Sequence, residues 1–296
     1  MKTLLVNGCS WTAGGGLDTP DTKEHMEHLF NHVVWPSHVK RKLGFDKCIN
    51  LAEGCGSNQR ICRTTFDWVM QQDAETLKNT TVIIQWSHED RYEYYVPTEE
   101  EKSDFQKRYQ VTPATEKSLH VKLIDANTGK LPEFKEYPRS GGNYSITRNL
   151  DRWARVNPNS LMSNVEDQSS SLVRKDAESR YRTYTDQEGM YNWVFHMGFL
   201  YNLLKSKGVE VYFWYFTQYV RAMPEEIQDY ICDSFPMLED TRWHGWTYER
   251  IGDEFQNSDY KDGSAFDPHP NHRGHEQLAD HIIDAIAKKK TILRRP

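Results

Sequence analysis

The chain lacks most of the features that would assign it quickly. Its start, MKTLLVNG, breaks at Asn7 and Gly8 after a very short apolar run, too short for a signal-peptide core or a membrane span. Cysteine is scarce and unpatterned: five residues, an odd number with no C-x-x-C spacing, fit free thiols in a reduced compartment better than a secreted disulfide framework, although Cys55 and Cys62 could meet in space. A basic excess is missing too. With 37 basic against 43 acidic residues the formal charge is −6, which argues against a dedicated nucleic-acid binder with a broad basic face. The cationic tail from Lys288 to Arg295 is local and complements the C-terminal dipole of a final helix. The run Gly14-Gly15-Gly16 has no Gly-Lys-Ser/Thr after it, and Gly54-x-Gly56 is followed by Gln59 where a dinucleotide fingerprint wants glycine. Nucleotide binding is therefore disfavoured. The expected setting is cytoplasmic, without nucleic acid or membrane.

What is present is an alternation of strands and helices. Four apolar segments, 3–8, 48–52, 81–87 and 209–216, are continuous rather than alternating, as in strands covered on both faces. Between and after them, apolar positions recurring at three and four residues predict helices over 35–43, 59–77, 188–207 and 274–290. In the last, Leu278, Ile282, Ile283 and Ile286 form the stripe. This pattern predicts an α/β fold, a three-layer α/β/α sandwich with a mainly parallel sheet. Residues 1–296, at a length that supports a core without staples, are read as a single domain. The interval 97–187 departs from it: charged, with Pro97, Pro113, Pro132, Pro138 and Pro158 and no convincing core strand, it reads as an insertion forming a lid or small subdomain. In a parallel sheet ligands collect beyond the carboxyl ends of the strands. That places Ser10, the 53–58 loop, the 87–91 loop and the 263–275 segment on one rim.

Serine at a strand-to-loop junction is commonly a turn or cap residue, so Ser10 needs partners to be a nucleophile. A serine hydroxyl attacks a carbonyl well when a histidine takes its proton and a carboxylate holds that histidine in the right tautomer. Residues 266–282, FDPHPNHRGHEQLADHI, set Asp267 and His269 two apart between Pro268 and Pro270, whose rings restrict the backbone around the candidate base. The competing reading of this segment is a solvated loop in which Asp267 caps a turn.

Taken together, Gly8-Cys9-Ser10 near the start and Asp267-Pro268-His269-Pro270 near the end resemble the SGNH (GDSL-like) hydrolase superfamily. Cys9 stands where that family usually has aspartate, and the Asp-to-His spacing is one residue shorter than its Asp-x-x-His-Pro. The resemblance implies an SGNH/flavodoxin-like fold and a Ser10, His269, Asp267 triad. It also implies an oxyanion donor in NLAEGCGSNQRI, at Gly54 or, preferably, Gly56. The family's Gly-x-Asn-Asp-like turn after the third strand is replaced here by QWSHEDR, leaving Ser87, His88 or Arg91 to donate, or Arg91 to pair with Glu89 or Glu93. The implied activity is that of a serine esterase or deacylase on a small-molecule or carbohydrate ester, needing no cofactor.

Rival readings come from the other histidines and from Cys9. His269, His272 and His275, or His25, His28 and His32 at helical spacing, could bind a metal, but there is no H-E-x-x-H and surface histidines on helices are common. Strand alternation turns Cys9 away from the face of Ser10 and into packing. Trp86, Trp243, Trp246 and Tyr248 lie near the candidate loops and would suit stacking on a sugar, or core packing. The alternatives to the esterase are thus an SGNH-shaped binding or structural protein without hydrolysis, and a His-cluster metal-dependent hydrolase. The acyl group, the alcohol, the choice between hydrolysis and acyl transfer, and the oligomeric state are not encoded in any motif.

Overall fold

The computed structural model describes residues 1–15, 17, 28–54, 56–87, 91–95, 153–156, 186–215, 224–238, 256–257 and 267–293, with 94–95, 153–156, 186–187, 256–257, 267–268 and 289–293 described as backbone only. In chain order the elements are β1 (Thr3–Asn7), α1 (Ser10–Ala13), a π-helical turn (Leu29–Val33), α2 (Trp35–Leu43), β2 (Lys47–Asn50), α3 (Asn58–Met70), α4 (Ala74–Lys78), β3 (Thr80–Trp86), β4 (Tyr92–Tyr95), β5 (Trp153–Val156), α5 (Asp186–Ser206), β6 (Glu210–Tyr215), α6 (Glu225–Ser234), β7 (Gln256–Asn257), β8 (Asp267–Pro270) and α7 (His272–Leu293).

Strands β2, β1, β3 and β6 form a parallel sheet in that spatial order. Because successive side chains on a strand point to opposite faces, the apolar runs feed two cores. Leu5, Val82, Ile84 and Phe213 pack with Ile61, Trp68, Trp193, Met197 and Leu200 of α3 and α5. Leu4, Val6, Ile83 and Trp214 pack with Trp11, Trp35, Val39, Leu278 and Ile282, carried by α1, α2 and α7. The result is a three-layer α/β/α sandwich, and it explains why the strands read as continuous rather than alternating. Full burial of one aliphatic side chain contributes about 1.5–3 kcal/mol. Leu4, Leu5, Val6, Val82, Ile83 and Ile84 are all at 0% exposure. They therefore outweigh exposed pairs such as Lys42–Asp280 at 2.6 Å, which contribute about 0–1 kcal/mol each.

The sheet order has a functional consequence. The chain passes from β1 to β2 on one side and then crosses to β3 on the other, so the topological switch point lies between the carboxyl ends of β1 and β3. The register Asn7↔Ile84 brings both strands out at the same rim.

One element differs from the sequence expectation. The helix predicted over 59–77 is two helices: α3 ends at Met70, and Asp73, whose Oδ1 accepts from Thr76 N at 2.7 Å, caps a separate α4. Within 97–187, β5 pairs antiparallel with β4 in a sheet of its own; the remainder of that interval up to residue 185 lies outside the described residues. No helix among the described residues is long and apolar enough to cross a membrane.

Candidate active site

The site begins where β1 ends. Asn7 is fully buried in an otherwise apolar strand, and its amide is satisfied on both sides: Nδ2 donates to Ile61 O, Thr64 Oγ1 and Thr65 Oγ1 at 3.1, 2.8 and 2.9 Å, and Oδ1 accepts from Gly8 N at 2.9 Å. These bonds anchor the strand exit to α3. Gly8 follows because nothing larger fits: a Cβ there would lie 2.6 Å from Thr12 Oγ1 and 2.8 Å from Gln85 Cβ. The chain then turns into α1, with Cys9 O accepting from Thr12 N and Ala13 N, both at 3.0 Å. Ser10 is the first residue of this short helix and half-buried.

His269 reaches Ser10 from the far end of the chain. It lies on β8, which pairs with β7 and leads into α7. Its Nε2 is 2.7 Å from Ser10 Oγ, joining residues 259 apart in sequence. The Trp11 ring flanks the imidazole at 6.5 Å between centroids. Gly15 completes the junction. A Cβ on Gly15 would sit 2.9 Å from Ser10 Cβ and 3.0 Å from both Cδ2 and Nε2 of His269. The glycine run after Ser10 thus makes room, at Gly15, for the histidine itself.

Beneath Ser10, the fully buried Gln85 of β3 grips α1 from both ends. Its Oε1 accepts a short hydrogen bond from Thr12 Oγ1, and its Nε2 donates to Cys9 Sγ at 3.2 Å. Cys9, at 1% exposure, is packed under the serine rather than presented with it. Asn50 adds a third tie, donating from Nδ2 to Thr12 O at 2.8 Å and accepting from Ala52 N at 3.0 Å. None of these polar residues stands out in the sequence except by one signal: Asn7 and Gln85 are amides inside apolar runs, and a buried amide is retained only where it is hydrogen-bonded.

The expected oxyanion donors fare differently. Gly56 N–H, expected to serve the oxyanion, donates to Glu53 O at 3.0 Å, closing a turn, so that hydrogen is committed within its own loop. Arg60, only 1% exposed, stiffens the same loop through a 2.7 Å pair with Glu53 and a 2.9 Å bond from Nη1 to Leu51 O. Ser87 N–H is committed as well, to Asn58 Oδ1 at 2.8 Å, while Asn58 Nδ2 returns a bond to Ser87 O at 3.1 Å. The Ser87 hydroxyl accepts from Arg91 Nη1 at 2.9 Å. Ser10's own N–H has no acceptor among the described residues. His88 and the side chain of Asp267 lie outside the described residues and side chains; by backbone, Asp267 and His269 are two apart on β8, positions that share a strand face.

The remaining candidates separate. His28 and His32 have rings 5.1 Å apart, with His25 outside the described residues. His272 is exposed, and His275 is fully buried, its Nδ1 accepting from Trp35 N at 3.3 Å. Burial pushes the His275 imidazole down to about 3, so it is neutral. Among the described residues no three His, Cys, Asp or Glu side chains gather as a metal site. Trp86, considered for sugar stacking, is instead core: it is fully buried and edge-on to Phe213 at 5.5 Å. Trp243, Trp246 and Tyr248 lie outside the described residues.

Residues 17–129 match the model of a family of unknown function, DUF6071. None of the curated proteins matches the chain. Among solved structures it is similar to the lipase Lip_vut3 from a goat rumen metagenome, at 10% identity over 96% of this chain and 97% of that one, with a TM-score of 0.38, too low to carry an argument about activity.

Proposed function

We propose that the protein is a serine ester hydrolase of SGNH type, an esterase or deacylase. The observation that carries this reading is the 2.7 Å contact between His269 Nε2 and Ser10 Oγ at the carboxyl edge of the sheet, within the 2.6–3.2 Å reach expected of a base and its nucleophile.

In the proposed reaction, Ser10 Oγ attacks the ester carbonyl as His269 Nε2 takes its proton. The tetrahedral intermediate collapses, His269 returns the proton to the departing alkoxide, and the acyl group stays on Ser10. Water, deprotonated by His269, then releases the acid and restores the serine. Asp267 is assigned the role of orienting His269 and stabilising its cation. Ser10 N–H and a group of the 87–91 loop, the Ser87 hydroxyl or His88, are assigned to the oxyanion; losing one such donor costs about 3 kcal/mol of transition-state stabilisation. The substrate class is a small-molecule or carbohydrate ester. No cofactor enters the chemistry, and neither nucleic acid nor membrane is a partner. The thiols of Cys9, Cys48 and Cys62, which form no disulfide among the described residues, support a cytoplasmic setting.

One observation favours a second reading. The N–H groups of Gly56 and Ser87 are both committed elsewhere, as in a protein that keeps an SGNH-like site for binding and has lost hydrolysis. Turnover of p-nitrophenyl acetate separates the two. Hydrolysis that falls at least a thousandfold in Ser10→Ala and in His269→Ala supports the esterase. No turnover by the wild-type protein contradicts it, and turnover kept in Ser10→Ala but lost with a chelator points to metal-dependent hydrolysis instead.

A further inference from the structure

We propose that the site takes a substrate bearing an oxyanion group, a carboxylate or phosphate close to the scissile ester, and that Arg91 is the residue that reads it. This rests on the esterase reading for the word substrate, but the anion site itself stands on separate observations.

The first is a cation without an ion-pair partner among the described residues. Glu93, the acidic partner two residues away, is taken by Arg63 through Nε–Oε2 and Nη2–Oε1 contacts of 3.1 and 2.9 Å. Arg91 forms no ion pair with any described residue. Its Nη1 donates to Ser87 Oγ at 2.9 Å, while its Nε is buried without a hydrogen-bond partner. A buried N–H of a charged group left unsatisfied is costly, and a guanidinium presents its donors as a planar fork shaped for a carboxylate or phosphate. Such a fork half-filled by a serine hydroxyl is a site that gains by binding an anion.

The second observation is placement. Ser10 lies three residues beyond Asn7 on β1, and Ser87 three beyond Ile84 on β3, and those two strand residues are paired in register. Neighbouring strands run about 4.8 Å apart. Arg91, held by the Ser87 hydroxyl, is therefore anchored at the carboxyl end of β3, beside the β1/β3 switch point where ligands of such sheets bind. In the proposed complex the substrate carbonyl lies at Ser10 Oγ and its anionic group at the guanidinium. The third is rigidity. Ser87 is clamped by Asn58 at 2.8 and 3.1 Å and buried, so the hydroxyl that holds Nη1 has a fixed position. Arg91 is thereby preorganised rather than waving in solvent.

The test separates binding from turnover. Calorimetric titration of the Ser10→Ala protein compares 4-acetamidobenzoate, an uncleavable stand-in for 4-acetoxybenzoate, with its methyl ester, and 4-acetamidophenyl phosphate with the uncharged phenol. The anions are expected to bind about tenfold to a hundredfold more tightly than their neutral counterparts, with that advantage abolished in Arg91→Gln and retained in part in Arg91→Lys. The stronger of the two anions identifies the group. Equal binding of anion and neutral partner, no binding of either, or an advantage unchanged by Arg91→Gln overturns the proposal. Circular dichroism of the variants and the behaviour of Arg91→Lys distinguish lost recognition from lost folding. Failure of the wild-type protein to cleave 4-acetoxybenzoate or its methyl ester, with Arg91-dependent binding intact, contradicts the esterase reading and leaves the anion site standing.

Discussion

A Cβ placed on Gly15 would come within 3.0 Å of His269 Nε2, the atom that contacts Ser10 Oγ. Backbone and imidazole are packed so closely here that a methyl group must move one of them. Gly15→Ala is therefore expected to displace the imidazole by a few tenths of an ångström or more. Misplacement of a reacting group by about 1 Å costs up to about a hundredfold in rate. The expected outcome is a large fall in kcat for p-nitrophenyl acetate with only a small change in thermal midpoint, since residue 15 contributes no side chain to the core. Equal kcat in Gly15→Ala contradicts the packing described.

Gln85 links α1 to the sheet through both its oxygen and its nitrogen. Gln85→Leu leaves Thr12 Oγ1 without its acceptor in a fully buried position, at a cost of about 1–3 kcal/mol. Replacing both partners removes the orphan. The double variant Thr12→Val/Gln85→Leu is thus expected to be less destabilised in urea than the sum of the single changes. Strict additivity would show that the two side chains are not coupled.

His275 makes stability depend on acid. Its folded-state value of about 3 lies below the ordinary 6.5, with burial as the main cause and the charges of His38, His269 and His272 acting in the same direction. Between those values the unfolded chain takes up a proton that the folded chain refuses, so stability falls as pH drops below about 6.5, by at most about 1.4 kcal/mol per unit. His275→Asn keeps an acceptor for Trp35 N and cannot titrate. Its thermal midpoint is expected to fall less between pH 7 and pH 4.5 than that of the wild type; parallel losses would show that His275 is not responsible.

The sheet was legible because β1, β2, β3 and β6 are built from continuous apolar runs, a pattern that only a strand covered on both faces needs. The split between α3 and α4 was not, because periodicity passes through Gln71–Asp73 and the break depends on one cap at Asp73. Around Ser10 the limit is of another kind. Motifs identify residues that carry chemistry, but the fate of a backbone N–H such as that of Gly56 depends on a turn that no residue type announces. Likewise Gln85 and Asn58 act through partners distant in sequence, and Arg60 through the turn at 51–53. Only Gln85 is hinted at, by its polarity inside the apolar run of β3, and that hint does not name the partner. Trp86 shows the converse: a ring beside a candidate loop, yet committed to the core.

The proposal that Ser10 is a nucleophile activated by His269 is tested most directly by reaction with a fluorophosphonate probe followed by peptide mapping. One adduct is expected, on Ser10, absent in Ser10→Ala and formed much more slowly in His269→Ala. An unmodified Ser10 under conditions that label an ordinary serine hydrolase, or labelling at Ser10 that is indifferent to His269, would contradict it.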